Sequence, residues 1–258
     1  MKNRHTSFED LQGKTYLVTG ASSGIGAATA LALGYAGSNV VLAARRIEAC
    51  EEVAKQIRTA GGQALVLDLD VRVEETVRQS VEKAVGHFGR LDGAFNNAGV
   101  LGVSRPLHEI ATEEMESVLR TNIMGVFWSM KYEIASMLSS GGGAIVNNAS
   151  IAASVAFPGI SPYNTSKHGV LGITRTAALE YFKQGIRINA VCPGPVETPM
   201  AELAFGGKEH LKAAMAGSPG GRAGRPDEIA RPVLFLLSGM SSYLSGQGLT
   251  IDGGFTVQ

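Results

Sequence analysis

The chain has 258 residues, 45% hydrophobic and 18% charged, with 23 Lys+Arg against 23 Asp+Glu. Such a balance suits a globular protein with a full core and offers no charged surface for nucleic acid or an anionic membrane. No apolar run approaches the ~20 residues of a membrane span, and residues 1–10 lack the apolar centre of a signal peptide, so a soluble cytoplasmic protein is expected.

In chain order, a short apolar run at 15–19 predicts a strand, followed by a glycine-rich turn and a small-residue helix over 24–35. Residues 39–44 contain the unbroken apolar run Val40, Val41, Leu42, Ala43, Ala44, the pattern of a strand covered on both faces. A helix over 47–60 stops at Gly61 and Gly62. A strand over 64–67, a helix over 73–88 and a strand over 91–95 follow. One long helix is predicted over 112–138, capped at Thr112 with Glu113 and Glu114 in its first turn. Then come a strand at 144–149, a helix at 162–183, a strand at 186–191, a helix at 226–237 and a final strand at 249–251.

This alternation predicts an α/β fold: a doubly wound, Rossmann-type parallel sheet of about seven strands with helices on both faces. No linker divides it, so a single domain over 1–258 is expected. The stretch 193–225 is richer in Gly and Pro and less regular, and a substrate lid is expected over 195–225.

The segment Thr19, Gly20, Ala21, Ser22, Ser23, Gly24, Ile25, Gly26 lies between the first strand and the first helix. A Rossmann unit holds a pyrophosphate there, on the free N–H groups and partial positive charge of the helix start. Gly20 suits the tight turn, Gly24 a close backbone approach and Gly26 close helix packing. The second strand ends in Ala43, Ala44, Arg45, Arg46 and carries no carboxylate to accept from a ribose 2′-OH. An arginine there can instead pair a 2′-phosphate. The expected cofactor is therefore NADP(H), with Arg45 the first candidate and Arg46 the second, and NAD(H) as the alternative.

At this point the motifs resemble those of the short-chain dehydrogenase/reductases, in their single-domain branch of about 250 residues. Residues 19–26 match that family's cofactor turn, and Asn96, Asn97, Ala98, Gly99 its motif after the fourth strand. Asn122, Ser150, Tyr163 and Lys167 match its catalytic set, with Tyr163 and Lys167 in Y-x-x-x-K spacing. Pro193 and Gly194, with Thr198 beyond, match its nicotinamide-side loop, and Asp252, Gly253, Gly254 its C-terminal signature. Two positions depart from the pattern: Asn148, where an apolar or β-branched residue is usual, and His168, where a small one is common. The resemblance implies that Asp70 and Val71 contact the adenine. It implies that Asn97, Ala98 and Gly99 line the cofactor, and that the Val196 backbone and Thr198 hydroxyl hold the carboxamide. It also implies a homotetramer, and a role for Asn122 in holding a water that links Lys167 to solvent.

The chemistry explains why these residue types are needed. Ketone reduction delivers hydride to carbon and a proton to oxygen, and the protein supplies the proton. Tyr163 and Lys167 lie one helical turn apart, on one face. A phenol with a pKa of about 10 is a poor base at neutral pH, and a neighbouring ammonium is expected to lower that value. Ser150, just past the fifth strand, can donate to the substrate oxygen as charge develops on it.

Ile151, Ala152, Ala153, Val155 and Phe157, with Met200, Leu203, Phe205 and Met215 of the lid, suggest a pocket for a small neutral or hydrophobic carbonyl or alcohol. Within the family, a 3-oxoacyl-carrier reductase and a glucose or polyol dehydrogenase are alternatives; outside it, a non-catalytic NADP(H) sensor or a purely structural subunit. The five histidines, His5, His87, His108, His168 and His210, show no metal-ligand spacing, and Cys50 and Cys192, outside any CxxC pattern, read as reduced thiols.

Overall fold

The computed structural model describes residues 8–257, so the reading of the polar N-terminus and of His5 falls outside the described residues. Seven parallel strands form one sheet: β1 (Thr15–Thr19), β2 (Asn39–Ala44), β3 (Gln63–Asp68), β4 (Gly93–Asn96), β5 (Gly143–Asn148), β6 (Ile186–Pro193) and β7 (Gly248–Ile251). Their order is β3-β2-β1-β4-β5-β6-β7. Strand order reverses between β1 and β4, and the crevice beyond their carboxyl ends is where such sheets bind ligands.

Helices α1 (Gly24–Tyr35), α2 (Ile47–Thr59) and α9 (Pro226–Leu237) cover one face, and α3 (Glu74–Phe88), α5 (Gly125–Ser140) and α6 (Ser161–Tyr181) the other. Helix α2 shows why: Cys50, Val53, Ala54 and Ile57 recur at helical spacing, and all four are buried. Every residue of β1 is buried, as is the apolar run of β2. At the far end of α9, Arg187 of β6 caps the helix. Its guanidinium donates to the carbonyls of Leu236 (2.7 Å) and Ser238 (2.9 Å) and to Ser241 Oγ (2.6 Å).

The helix predicted over 112–138 is not continuous. It runs as α4 (Thr112–Leu119), a π-helical turn (Arg120–Met124) and then α5. Thr112 is not the cap either: Ala111 holds that position, and its N–H donates to the Glu114 carboxylate (3.0 Å). The stretch read as irregular contains two short helices, α7 (Pro199–Phe205) and α8 (Lys208–Met215). Among the described residues, no helix is long and apolar enough to cross a membrane.

Candidate active site

The glycine-rich turn is held from β4. Thr19 Oγ1 accepts from the N–H groups of Asn97 (3.0 Å) and Ala98 (3.1 Å). Asn97 Nδ2 in turn donates to the carbonyls of Thr19 (3.1 Å) and Gly20 (3.3 Å), bridging β1 and β4 at the switch point. A β-carbon on Gly26 would lie 2.3 Å from the Gly20 carbonyl oxygen, so only glycine lets α1 start this close to the turn. Gly24 has φ +55°, and a β-carbon on it would meet the Thr198 methyl at 2.9 Å. The loop after β6 therefore rests on the turn.

No side chain caps α1. Ser23 occupies the cap position, but the hydroxyls of Ser22 and Ser23 instead accept from Arg46 Nη2 (3.0 and 2.6 Å). The N–H groups of the first turn, around Ile25, thus face a crevice with an arginine at its edge, which suits a phosphate-bearing cofactor. Arg45, ranked first on sequence grounds, lies in the field of Asp70 instead. The Asp70 carboxylate is already paired with Arg72, whose Nη2 approaches Oδ2 at 2.6 Å, and Val71 is buried.

On the other side of the crevice, Pro193 ends β6 and is buried. The Gly194 N–H donates to the Ile251 carbonyl (3.0 Å), and a β-carbon on Gly194 would meet Asp252 Cβ at 2.8 Å, which packs the C-terminal signature against this loop. Val196 turns its side chain into the core. The Thr198 hydroxyl caps α7, accepting from the Ala201 N–H (3.2 Å) and donating to the Val196 carbonyl (3.2 Å).

The four residues of the expected catalytic set come from three elements. Ser150 caps the short 3-10 turn after β5, its Oγ accepting from the Ala152 N–H (3.1 Å), and its side chain stands near enough to the Tyr163 phenol to act on its ionisation. Tyr163 stands in the first turn of α6, behind Pro162. Lys167, one turn on, is buried; its Nζ lies 5.4 Å from the Tyr163 ring centroid and donates to the Asn148 carbonyl (2.6 Å).

Asn122 sits inside the π-helical turn. Its Oδ1 accepts from the Val100 N–H (2.9 Å), and its Nδ2 donates to the Val100 carbonyl (2.9 Å) and to Ser166 Oγ (3.0 Å). Its amide thus clamps the loop after β4 to α6. The position of a β-carbon on Gly99 would lie 3.2 Å from Asn122 Oδ1 and 3.8 Å from Lys167 Nζ, so these three residues border one small space.

The family model described as enoyl-(acyl carrier protein) reductase matches residues 20–256. A cyclohexanol dehydrogenase of Acinetobacter sp. (strain SE19) is 43% identical over 243 residues, covering 94% of this chain and 95% of that protein. A 2,5-dichloro-2,5-cyclohexadiene-1,4-diol dehydrogenase of Sphingobium indicum is 42% identical over 249 residues, covering 96% of this chain and 98% of that protein. The crystal structure of levodione reductase superposes with a TM-score of 0.91 at 34% identity, covering 94% of this chain and 97% of that one. The chain is a short-chain dehydrogenase/reductase. As a member of that family it is an oxidoreductase acting on alcohols and carbonyls with a nicotinamide cofactor.

The electrostatics of this short-chain dehydrogenase/reductase differ from the simplest expectation. Burial raises the Tyr163 phenol above its ordinary value, and the nearby Ser150 side chain offsets only part of that rise. Lys167 is itself perturbed: burial lowers its ammonium to about 8, against a small opposing effect of Cys192. Burial thus favours the neutral form of both groups, holding the phenol protonated and making the ammonium easier to deprotonate.

Sequence reading missed the amide pairs that brace this site. Asn96 Nδ2 donates to Asn147 Oδ1 (3.1 Å) and to the buried Glu133 carboxyl (2.9 Å). One residue further along the strands, Asn148 Nδ2 donates to Asn97 Oδ1 (2.9 Å). Asn148 carried a signal, since it departs from the family's usual apolar residue. The pocket residues also sort themselves. Met215 packs with Leu211 and Ala223 inside the lid, and Leu203 is 84% exposed. Phe157 instead meets Phe255, ring centroids 6.2 Å apart, near the Ser150 segment.

Proposed function

We propose that this short-chain dehydrogenase/reductase interconverts a hydrophobic, alicyclic secondary alcohol and its ketone, preferring NADP(H) over NAD(H), with Tyr163 as the general acid/base. The observation that carries this is the meeting of the Ser150 hydroxyl with the Tyr163 phenol, one turn from Lys167 and across the crevice from the uncapped start of α1. The apolar surroundings of Ser150 and the cyclohexanol and cyclohexadienediol dehydrogenases among the relatives support the substrate class.

The bound nicotinamide supplies or accepts the hydride. Tyr163 Oη gives the proton to the carbonyl oxygen in reduction and takes it from the alcohol in oxidation. Ser150 Oγ donates to the same oxygen as negative charge grows there. Lys167 positions the cofactor's ribose and restores the Tyr163 proton, by a path along the Gly99–Asn122 space. Gly20, Ser22, Ser23, Gly24, Ile25 and Gly26 would hold the pyrophosphate. Ala98 and Gly99 would line the cofactor, and Pro193, Gly194, Val196 and Thr198 would hold the carboxamide.

Arg46 becomes the first candidate for the 2′-phosphate, because its guanidinium already stands on the phosphate turn, with Arg45 beside it. The arginines at the lid are spent on carboxylates, Arg222 on Glu228 (2.7 Å) and Arg225 on Asp227 (3.1 Å), which argues against docking of an acidic acyl carrier. Exposed Phe127 and Leu138 on α5 and Leu179 on α6 support assembly into a homotetramer.

Absorbance at 340 nm tests the reading with cyclohexanol, open-chain secondary alcohols, a polyol and a 3-oxoacyl thioester, each with both cofactors. Turnover of cyclic alcohols with NADP⁺ favoured, and that preference lost in Arg46→Ala, is expected. A preference for NAD⁺, or activity confined to the thioester, overturns it.

A further inference from the structure

The carboxyl ends of β4 and β5 carry two cross-strand asparagine pairs, one on each face of the sheet. Asn96 and Asn147 are register partners and turn toward α5 and α6. Asn97 and Asn148, the next residues, turn toward the glycine-rich turn. The second pair lies between two working parts of the site. Asn97 Nδ2 is committed to the Thr19 and Gly20 carbonyls, so its Oδ1 must find a donor elsewhere, and Asn148 Nδ2 is that donor at 2.9 Å. The main-chain carbonyl of the same Asn148 accepts from Lys167 Nζ at 2.6 Å. Among the described residues the buried Asn148 side-chain oxygen has no partner, so this amide carries the cost of an unsatisfied acceptor alongside its bond to Asn97.

We propose that Asn148 is a positioning residue that locks the Asn97 amide in the orientation that shapes the pyrophosphate turn, joining that turn to the strand end that holds Lys167. This inference rests on the cofactor reading above. Its physical basis is directional. An amide presents a donor at one end and an acceptor at the other. If Asn97 turns over, its oxygen faces the Thr19 and Gly20 carbonyls and the turn is repelled rather than held. An apolar residue at 148 leaves Asn97 Oδ1 without a partner and permits that turnover. The Lys167 anchor is main chain and survives substitution, so the effect falls on cofactor binding rather than on proton transfer.

The experiment measures Kd for NADPH and NADH by isothermal titration calorimetry with wild type, Asn148→Val and Asn148→Asp. Each protein is checked for folding by its thermal transition, and kcat is taken at saturating cofactor. Valine removes the donor. Aspartate keeps the shape but offers only acceptors, so Asn97 must either face repulsion or turn over and release the glycine turn. Both variants should raise Kd roughly tenfold, the scale of one lost buried hydrogen bond. For valine, which adds no charge, the rise should be equal for NADPH and NADH because the pyrophosphate is common to both, and kcat should change less than about twofold. Wild-type affinity in either folded variant overturns the proposal. If the wild-type protein itself binds neither cofactor, the functional reading fails instead, and the two failures are told apart by the first titration.

Discussion

Replacing Glu133 by glutamine should stabilise the protein by an amount that grows with pH. Glu133 lies on α5, 0% exposed, where burial raises its carboxyl to about 8, and among the described residues the Asn96 amide is its one hydrogen-bond donor. Its Oε1 and the neighbouring Asn96 Oδ1 are both buried without partners. In the unfolded chain the same group ionises near 4.5. A group whose folded pKa is raised costs nothing below the unfolded value, and its cost grows as pH climbs toward the folded value. At 1.36 kcal/mol per pH unit, that cost is about 1 kcal/mol at pH 5, about 3 at pH 7 and about 5 at pH 9, where it levels off. Glutamine keeps the shape, removes the titration and adds a donor. Urea unfolding of both proteins at these three pH values, at one fixed protein concentration, should show Glu133→Gln ahead by a widening margin. A margin independent of pH, or a less stable variant, refutes the reasoning.

Two further outcomes follow from the same geometry. Arg187→Met removes the cation that satisfies the last carbonyls of α9, with part of its burial retained by the methionine. It should cost roughly 2–4 kcal/mol and lower Tm by about 5–15 °C by calorimetry, with cofactor affinity unchanged. In ketone reduction, kcat/KM should be level at acidic pH and fall above about 8, as Lys167 loses its proton. Lys167→Met should lose that limb along with most of the activity, and a wild-type profile level to pH 10 would contradict the assignment.

Much of the fold was legible because single elements carried their own signal. The run Val40 to Ala44 is apolar at every position, and β2 is indeed covered on both faces. Helices α1 and α9 begin and end where their glycine turn and Pro226, Asp227, Glu228 start indicated. The form of the break at Asn122, a π-helical turn, was not legible. Its extra residue leaves the apolar rhythm of 112–138 almost intact, and only Asn122, a poor helix former, marked the place. In the lid, Thr198 before Pro199 is an ordinary helix start that the surrounding glycines and prolines obscured.

At the site, the Tyr163 and Lys167 pair and the glycine-rich turn stood out by local spacing, while Asn122 and Ser150 were picked out by the family resemblance. The asparagine pairs were not legible, because Asn97 and Asn148 lie 51 residues apart in sequence and meet only when β4 and β5 align. The reach of Arg46 to the turn was hidden for the same reason: the hydroxyls that draw it in lie 23 and 24 residues away. The direction of the Tyr163 shift depends on how deeply α6 is buried, which spacing does not encode.

Tyr163 is the proposed proton donor and acceptor, and the whole mechanism turns on its hydroxyl. Tyr163→Phe removes one oxygen from a ring that otherwise keeps its packing. With NADPH titrated calorimetrically and turnover followed at 340 nm on the same preparation, the account predicts Kd within about twofold of wild type and turnover reduced by at least ~10²-fold. Turnover near the wild-type rate in the phenylalanine variant would contradict it.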